Sequence, residues 1–338
     1  DITIYQVTGA TKTTGTTEWN GVSYDSITYN LSATTLTETE LETDKSDKGL
    51  YQGTDDYGTT YYYRGNVKNN IVQFAGYYWQ IIRINGDGTI RLLYNGTEKN
   101  ASGVKQSINN RTYQFNSKYN DPAYVGYMYG NPDATIFAEV HTNTNDSSIK
   151  TTLDSWYNTN IEDKGYSSYI SNAVGFCGDR SLPASVWGTN NNGDGVNNTP
   201  RTSIFGAYAR YVKNVAQFTC PEPSRDLYTT ADSSIGNKAL TYPVGLITYD
   251  ELVFAGMDNR HINKLSWAYS TQHYWTMSPS LFYATGGSAL EWHLHSTGCL
   301  SNGWAVYASI GARPVINLKS DTLITGGIGT GSDPFVVG

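Results

Sequence analysis

The sequence contains little charge. Aspartate, glutamate, lysine and arginine make up 16% of its 338 residues, whereas about a quarter is usual for a soluble domain. Acidic residues outnumber basic ones by 30 to 23, so the formal net charge is −7. A protein that binds nucleic acid or an anionic membrane surface needs a basic face. The composition therefore predicts neither partner.

Long hydrophobic runs are also missing. No stretch approaches the roughly 18 apolar residues that a membrane-spanning helix requires, and no signal peptide opens the chain. The sequence starts at Asp1 without a methionine, so we expect that an upstream targeting or anchoring segment was removed. These features predict an extracellular protein.

Phenylalanine and methionine are scarce, and tyrosine takes their place. The chain has 9 phenylalanines and 3 methionines but 28 tyrosines. Tyrosine and threonine suit half-buried strands, which is our interpretation for most of the chain. Tyrosine, serine, glycine and asparagine also build adaptable recognition surfaces, and we expect such a surface locally.

Only three cysteines occur. Cys177 and Cys220 both follow aromatic or strand-like sequence and precede a turn signal. We expect a disulfide between them, which fits an oxidising extracellular setting; two buried thiols are the alternative. Cys299 lies in a polar Gly/Ser context without an evident structural role.

The chain divides into two parts. Residues 1–46 are rich in threonine and alternate in polarity, which predicts a small β-rich stalk or edge segment, with Glu38–Lys48 as its linker. We expect residues 47–338 to form one α+β domain, because short strands dominate without regular β-α-β alternation. A β-meander is predicted over Tyr61–Tyr94, with a hairpin turn at Asn85–Gly88.

Few helices are expected. Ile149, Leu153, Trp156 and Ile161 recur at helical spacing behind Asn145-Asp146, which could cap the start. Thr248–Glu251 has the capping-box pattern, with Gly256 as a stop.

Four stretches resemble a family of surface proteins from gut-associated Gram-positive bacteria, whose members often carry a prepilin-like N-terminal helix. They are Tyr77–Gly88, Tyr274–Pro279, Gly311–Leu318 and Ser332–Val336. The resemblance covers roughly residues 47–338. It implies a pilus-associated protein that contacts other pilus subunits.

The section from Trp275 to Leu318 also resembles the end of C-type-lectin-like domains related to the formylglycine-generating enzyme. Some of these are variable proteins of diversity-generating retroelements, in which a hypervariable C-terminal segment forms the ligand-binding face. The resemblance implies a C-type-lectin-like fold of mostly antiparallel short strands with two or three short helices. Because the enzyme depends on a cysteine pair and only Cys299 lies in this region, its activity does not carry over.

The variable-looking segment is 280–309. If Leu290–His295 is a strand, Leu290, Trp292 and Leu294 point inward and the intervening side chains point outward. Aromatic anchors among small polar residues are typical of binding hot spots. The predicted ligand-binding set is Tyr283, Glu291, His293, His295, Cys299, Trp304 and Tyr307. Ordinary core strands are the alternative.

Other chemistry receives less support from the sequence. Glu291, His293 and His295 could reach one metal ion, but no supporting second shell is visible, so we predict no metal site. Cys299 near His295 lacks the orienting third group of a catalytic thiol. We therefore predict no catalytic residues and a protein that is not an enzyme. The Gly326–Gly331 run ends too near the C-terminus to lead into a phosphate-binding helix.

Calcium is the one cofactor that the sequence leaves open. Oxygen-bearing side chains cluster at Asn190–Gly195, at Asn85 and Asp87, and at Asp55 and Asp56. None has EF-hand spacing, and plain turn chemistry is the alternative.

Three functions follow, in order of preference. The first is recognition of a protein or glycan ligand at the bacterial surface through segment 280–309, with an adhesin-like role. The second is a structural pilin-like subunit without a specific ligand. The third is an enzyme of unknown chemistry.

Overall fold

The computed structural model describes residues 4–19, 22–36, 48–183, 192–196 and 201–337. The fold is mixed α+β and rich in sheet, with 31% strand and 18% helix. The predicted linker Glu38–Lys48 lies outside the described residues except for Lys48.

A ten-stranded sheet forms one layer. Its strands are β1 Ile4–Trp19, β2 Val22–Leu36, β3 Lys48–Asp55, β4 Gly58–Gly65, β5 Ile71–Phe74, β6 Tyr77–Ile84, β7 Ile90–Tyr94, β18 Val315–Leu318, β19 Ile324–Gly326 and β20 Phe335–Val337. The main path runs β19-β20-β5-β6-β4-β3-β1-β2, and β7 joins β6 to β18. The four predicted strands are confirmed, but they do not form a simple meander, because β4 and β5 both pair with β6.

A six-stranded sheet contains most of the variable-looking segment 280–309. It contains β8 Thr112–Gln114, β12 Ser203–Ile204, β14 Tyr274–Tyr283, β15 Ser288–Leu294, β16 Leu300–Ala305 and β17 Ser309–Gly311. Strands β14, β15 and β16 form consecutive antiparallel pairs. Two further two-stranded pairs join β9 Met128–Tyr129 to β10 Asn145–Asp146, and β11 Phe176–Cys177 to β13 Leu227–Tyr228.

The α-helices are short. They are α1 Phe137–Val140, α2 Ser148–Tyr157, α3 Gly206–Lys213, α4 Pro223–Asp226 and α5 Tyr249–Phe254. A π-turn at Asn158–Glu162 continues α2, and 3-10 turns occur at Gly103–Gln106, Ile108–Asn110, Pro122–Val125 and Tyr166–Tyr169.

Local sequence explains where α2 and α5 begin. In α5 the Thr248 side chain accepts the Glu251 N–H and the Glu251 side chain accepts the Thr248 N–H, which confirms the capping box. For α2 the predicted cap is wrong. The Ser147 side chain accepts the Lys150 N–H, because Asn145 and Asp146 are engaged in strand β10.

The N-terminal segment continues the larger sheet. Strands β1 and β2 pair over almost their whole length, which agrees with the alternating pattern of the segment. Among the described residues, β1 joins β3 through Tyr5 and Gln6, which pair with Gln52 and Tyr51. The segment is thus a long β-ribbon whose base is attached to the sheet edge.

Candidate functional site

Strands β14, β15 and β16 hold the predicted binding residues, but the structure separates these residues into two groups. Tyr283 ends β14 and Tyr307 follows β16, so both lie at one end of the sheet. His295 and Cys299 lie in the turn that joins β15 to β16, at the opposite end. Trp304 lies between the two groups, paired with Glu291.

The prediction that Glu291 and His293 are outward-facing ligand residues is wrong. Both side chains have no exposed surface. The reason is that β15 is covered on both sides. On one side the Trp292 ring contacts Tyr208 and Tyr211 of α3, and the Pro122–Val125 turn also packs against β14 and β15. The alternating pattern correctly places Trp292 on one face of β15 and Glu291 and His293 on the other. Neither face is open to solvent.

The tyrosine end of the sheet is exposed. Tyr283 and Tyr307 are 49% and 46% exposed, and Tyr119, at 42%, joins them. The Tyr119 and Tyr307 rings lie 4.6 Å apart between centroids and are inclined at 57°. Backbone bonds tie this end together, because the Ala289 N–H donates to the Tyr119 carbonyl and the Val306 N–H donates to the Ala289 carbonyl.

Strand geometry fixes the width of this tyrosine end. Tyr283 is paired with Ser288 on β15, and Tyr307 follows Val306, which is bonded to β15 from the other side. Neighbouring strands lie about 4.8 Å apart, so the two tyrosine backbones are about 10 Å apart. Tyr119 was not predicted as a site residue, because nothing in its local pattern indicates which distant segment it meets.

The opposite end holds a histidine cluster: His273, His293 and His295 with Trp304. Ring centroids of His273 and His295 are 4.2 Å apart, and those of His273 and His293 are 5.9 Å apart. Trp304 stacks on His273 at 4.4 Å and lies 5.3 Å from His293. His273 was not predicted as a site residue, because it precedes β14 and reaches the cluster through the pairing of the strands.

Burial changes the titration of this cluster. Burial, with a contribution from His273, lowers the pKa of His293 to about 3. Burial and the nearby His295 also lower the pKa of His273. Both ring nitrogens of His293 and Nδ1 of His273 are buried without a hydrogen-bond partner among the described residues. His273 and His293 are therefore neutral imidazoles at pH 7.

Metal-ligand geometry is not formed by these residues. In the described part of the chain, no group of three or more His, Cys, Asp or Glu side chains is arranged to hold a metal ion. Cys299 is half-buried, with its Sγ 3.4 Å from the Thr297 hydroxyl. That hydroxyl lies 2.8 Å from Nδ1 of His295.

In the candidate calcium loops, side-chain oxygen atoms accept hydrogen bonds or form ion pairs within the protein. Asp87 accepts both the Thr89 N–H and its hydroxyl. Asp56 accepts the Cys220 N–H, and Asp55 is paired with Arg83. At the third loop, Asn190 and Asn191 lie outside the described residues, while the Asn192 side-chain oxygen accepts the Ile204 N–H. These contacts are those of turns and ion pairs.

The predicted disulfide is confirmed. Cys177 and Cys220 are bonded, with Cα atoms 5.6 Å apart and a sequence separation of 43. The bridge links β11 to the segment that follows α3.

Cys177 also lines a charged cleft that the sequence analysis missed. The cleft encloses about 460 Å³ of space continuous with solvent. Its ionisable lining side chains are Asp56, Tyr57, Arg83, Arg91, Asp179, Arg210, Asp250 and Glu251. They come from segments far apart in the sequence, so no local motif marked them.

Most of these charged side chains form ion pairs with one another. Glu251 lies 2.5 Å from Arg91 and 3.2 Å from Arg83, and Arg210 bridges Asp179 and Asp250 at 2.6 and 2.7 Å. Burial alone would raise the pKa of Glu251, but the two guanidinium groups outweigh burial and leave it below the ordinary value.

Two other groups in this cleft also titrate abnormally. Burial raises the pKa of Asp250 against the opposing effect of Arg210. It also raises the pKa of Tyr57 to about 12. Clustered ionisable groups with perturbed pKa values mark active sites, but buried ion-pair networks produce the same signature. The mutual pairing here is typical of such a network.

No protein-family model, curated protein or solved structure matches the chain. Within the residues that the structure covers, no helix has the length and apolar composition to cross a bilayer.

Proposed function

We propose that this protein is a ligand-binding, adhesin-like protein of the bacterial surface with a C-type-lectin-like fold. Its recognition surface is the tyrosine end of the six-stranded sheet, formed by Tyr119, Tyr283 and Tyr307. The observation that carries the proposal is the exposure of three tyrosine rings at one end of the six-stranded sheet, with the Tyr119 and Tyr307 ring centroids 4.6 Å apart. Tyrosine supplies large contact area at low entropic cost and is enriched in binding hot spots.

A protein ligand is favoured over a glycan. The Tyr119 and Tyr307 rings are inclined at 57°, so they form a ridge rather than the flat platform on which a sugar ring stacks. The turn after Tyr283 supplies small polar residues, Thr285, Gly286, Gly287 and Ser288, which adapt readily to a protein surface.

Binding to cells tests the proposal. The labelled chain is incubated with intestinal epithelial cells and with other gut bacteria, and bound protein is measured by flow cytometry. We expect the triple variant Y119A/Y283A/Y307A to bind at least tenfold more weakly, since hot-spot side chains each cost more than about 1 kcal/mol. I136S/I262S, which alters exposed apolar residues elsewhere, is the matched control.

Two outcomes would contradict the proposal: no binding to any cell, or equal binding by the triple variant. Protease treatment of the cells distinguishes a protein ligand, whose signal is lost, from a glycan. A separate test applies to the proposal that a retroelement diversifies the C-terminal segment. A near-copy of the codons for Trp275–Leu318 beside a reverse transcriptase gene would establish that diversification.

A structural filament subunit is the second candidate. The outer edge of β2 has no neighbouring strand among the described residues, and an open edge can accept a strand from another chain. Concentration-dependent assembly that is lost when residues 1–46 are deleted would support this role.

A further inference from the structure

The β1–β2 ribbon extends far beyond its attachment to the rest of the sheet. Among the described residues, β1 meets β3 at Tyr5 and Gln6, which pair with Thr35 and Thr34 of β2. The rest of β2, the stretch Val22–Ala33, is about 40 Å long at roughly 3.4 Å per residue. A two-stranded ribbon without a third strand or a packing partner is only marginally stable in water. This length therefore indicates a neighbouring strand that the described residues do not supply.

The outer edge of β2 is the surface on which such a neighbour would pair. In the described part of the chain, no other strand pairs with this edge. Proteins usually protect an open edge by lysine, by proline or by keeping the strand short. β2 is instead 15 residues long, and it contains no proline and one charged residue, Asp25. Its edge is therefore suited to a long partner strand.

The sequence of β2 matches a second copy of the same strand. Tyr29 is the middle residue of Val22–Leu36. Ile27, Tyr29 and Leu31 alternate along the strand, so these positions share one face. In an antiparallel pair centred on Tyr29, this residue lies opposite the partner's Tyr29, and Ile27 lies opposite the partner's Leu31. An aromatic pair across two strands stabilises a sheet, and the apolar pairs on either side of it extend the contact.

Charge and register both favour this antiparallel arrangement. With the pair centred on Tyr29, Asp25 lies opposite the partner's Ala33, and the two aspartates are about 27 Å apart. A parallel pair in register would place the two aspartates directly opposite each other, where like charges destabilise a sheet. A shift of the antiparallel register by one residue would place Ile27, Tyr29 and Leu31 opposite polar residues.

We propose that two copies of this chain associate through the outer edges of their β2 strands, antiparallel about a two-fold axis at Tyr29, so that the two ribbons form one four-stranded sheet. Pairing along the whole strand adds roughly 14 backbone hydrogen bonds. Because both copies use the same edge, the assembly closes at two chains, unlike a filament. The pairing does not rest on ligand recognition by the tyrosine end.

Sedimentation equilibrium of the full chain measures the association. We expect the mass to rise with concentration to that of two chains and then to stay constant. The variant I27K/L31K places lysine opposite lysine on both sides of the two-fold axis, so its dissociation constant should be about tenfold higher or more. S32K/T34K is the matched control. It adds the same charge on the other face, with the lysines of the two copies at least about 20 Å apart, and should associate like the wild type.

Disulfide trapping tests the register without the lysine variants. A C299S background removes the free cysteine. In this background Y29C should form a covalent dimer on oxidation, because residues directly opposite each other have Cα atoms about 5 Å apart. I27C and L31C should each stay uncrosslinked alone, since identical positions are then about 14 Å apart. A mixture of the two variants should cross-link.

The proposal is overturned by a single-chain mass at every concentration, by a mass that grows beyond two chains, or by undiminished association of I27K/L31K. It is also overturned when Y29C fails to cross-link or when I27C alone cross-links equally well. The triple variant Y119A/Y283A/Y307A should still associate like the wild type. Loss of cell binding and loss of association therefore report separately on the tyrosine end and on the ribbon.

Discussion

Glu291 is a buried carboxyl group whose raised pKa costs stability at neutral pH. Its side chain is fully buried, and neither oxygen has a hydrogen-bond partner among the described residues. Burial raises its pKa well above the ordinary value of 4.5. The folded protein therefore binds this proton more tightly than the unfolded chain does. Stability from this group is highest below pH 4.5 and is lost as the pH rises towards the folded pKa.

The magnitude follows from the interval between the two pKa values. Each pKa unit above 4.5 costs about 1.4 kcal/mol at neutral pH. The cost at neutral pH grows with the interval between the ordinary value and the folded pKa, and it stops growing once the folded pKa exceeds the pH. We expect E291Q, which keeps the shape and removes the titration, to raise the free energy of unfolding at pH 7 by at least about 1.4 kcal/mol, the equivalent of one pKa unit.

Urea unfolding of the wild type and E291Q at pH 4, 5.5 and 7 measures this effect. The gain should be close to zero at pH 4 and grow with pH. E139Q, at an exposed glutamate, should show no such trend. The histidine cluster affects the wild type and E291Q alike, so it cancels in their difference. A difference that does not depend on pH would refute the reasoning.

Two further predictions concern the charged cleft and its disulfide. C177S/C220S should lower the free energy of unfolding by about 4 kcal/mol, since the bridge closes a loop across 43 positions; an unchanged urea midpoint would contradict this. R210M should cost about 3–5 kcal/mol because it leaves two buried carboxylates without their partner. The exposed pair of Lys105 and Glu98 is its control, where K105M should cost less than about 1 kcal/mol.

The sequence by itself determined features that depend on neighbouring residues. The hairpin at Asn85–Gly88 follows from local geometry, because Gly88 has a φ of +86° and the Asn85 N–H donates to the Thr89 carbonyl. The capping box at Thr248 likewise needs only residues three positions apart. The disulfide was predicted from the similar settings of Cys177 and Cys220. Backbone dihedrals and short-range hydrogen bonds depend on residues a few positions apart. The local sequence is therefore sufficient to predict the hairpin turn and the capping box.

Only the tertiary structure decided that neither face of β15 is open to solvent. Alternation separated Trp292 from Glu291 and His293, but segments distant in sequence cover both sides of the strand. The same cause brought Tyr119 beside Tyr307 and His273 beside His293. Burial is a property of the space around a side chain, and that space is filled by residues that no local pattern identifies.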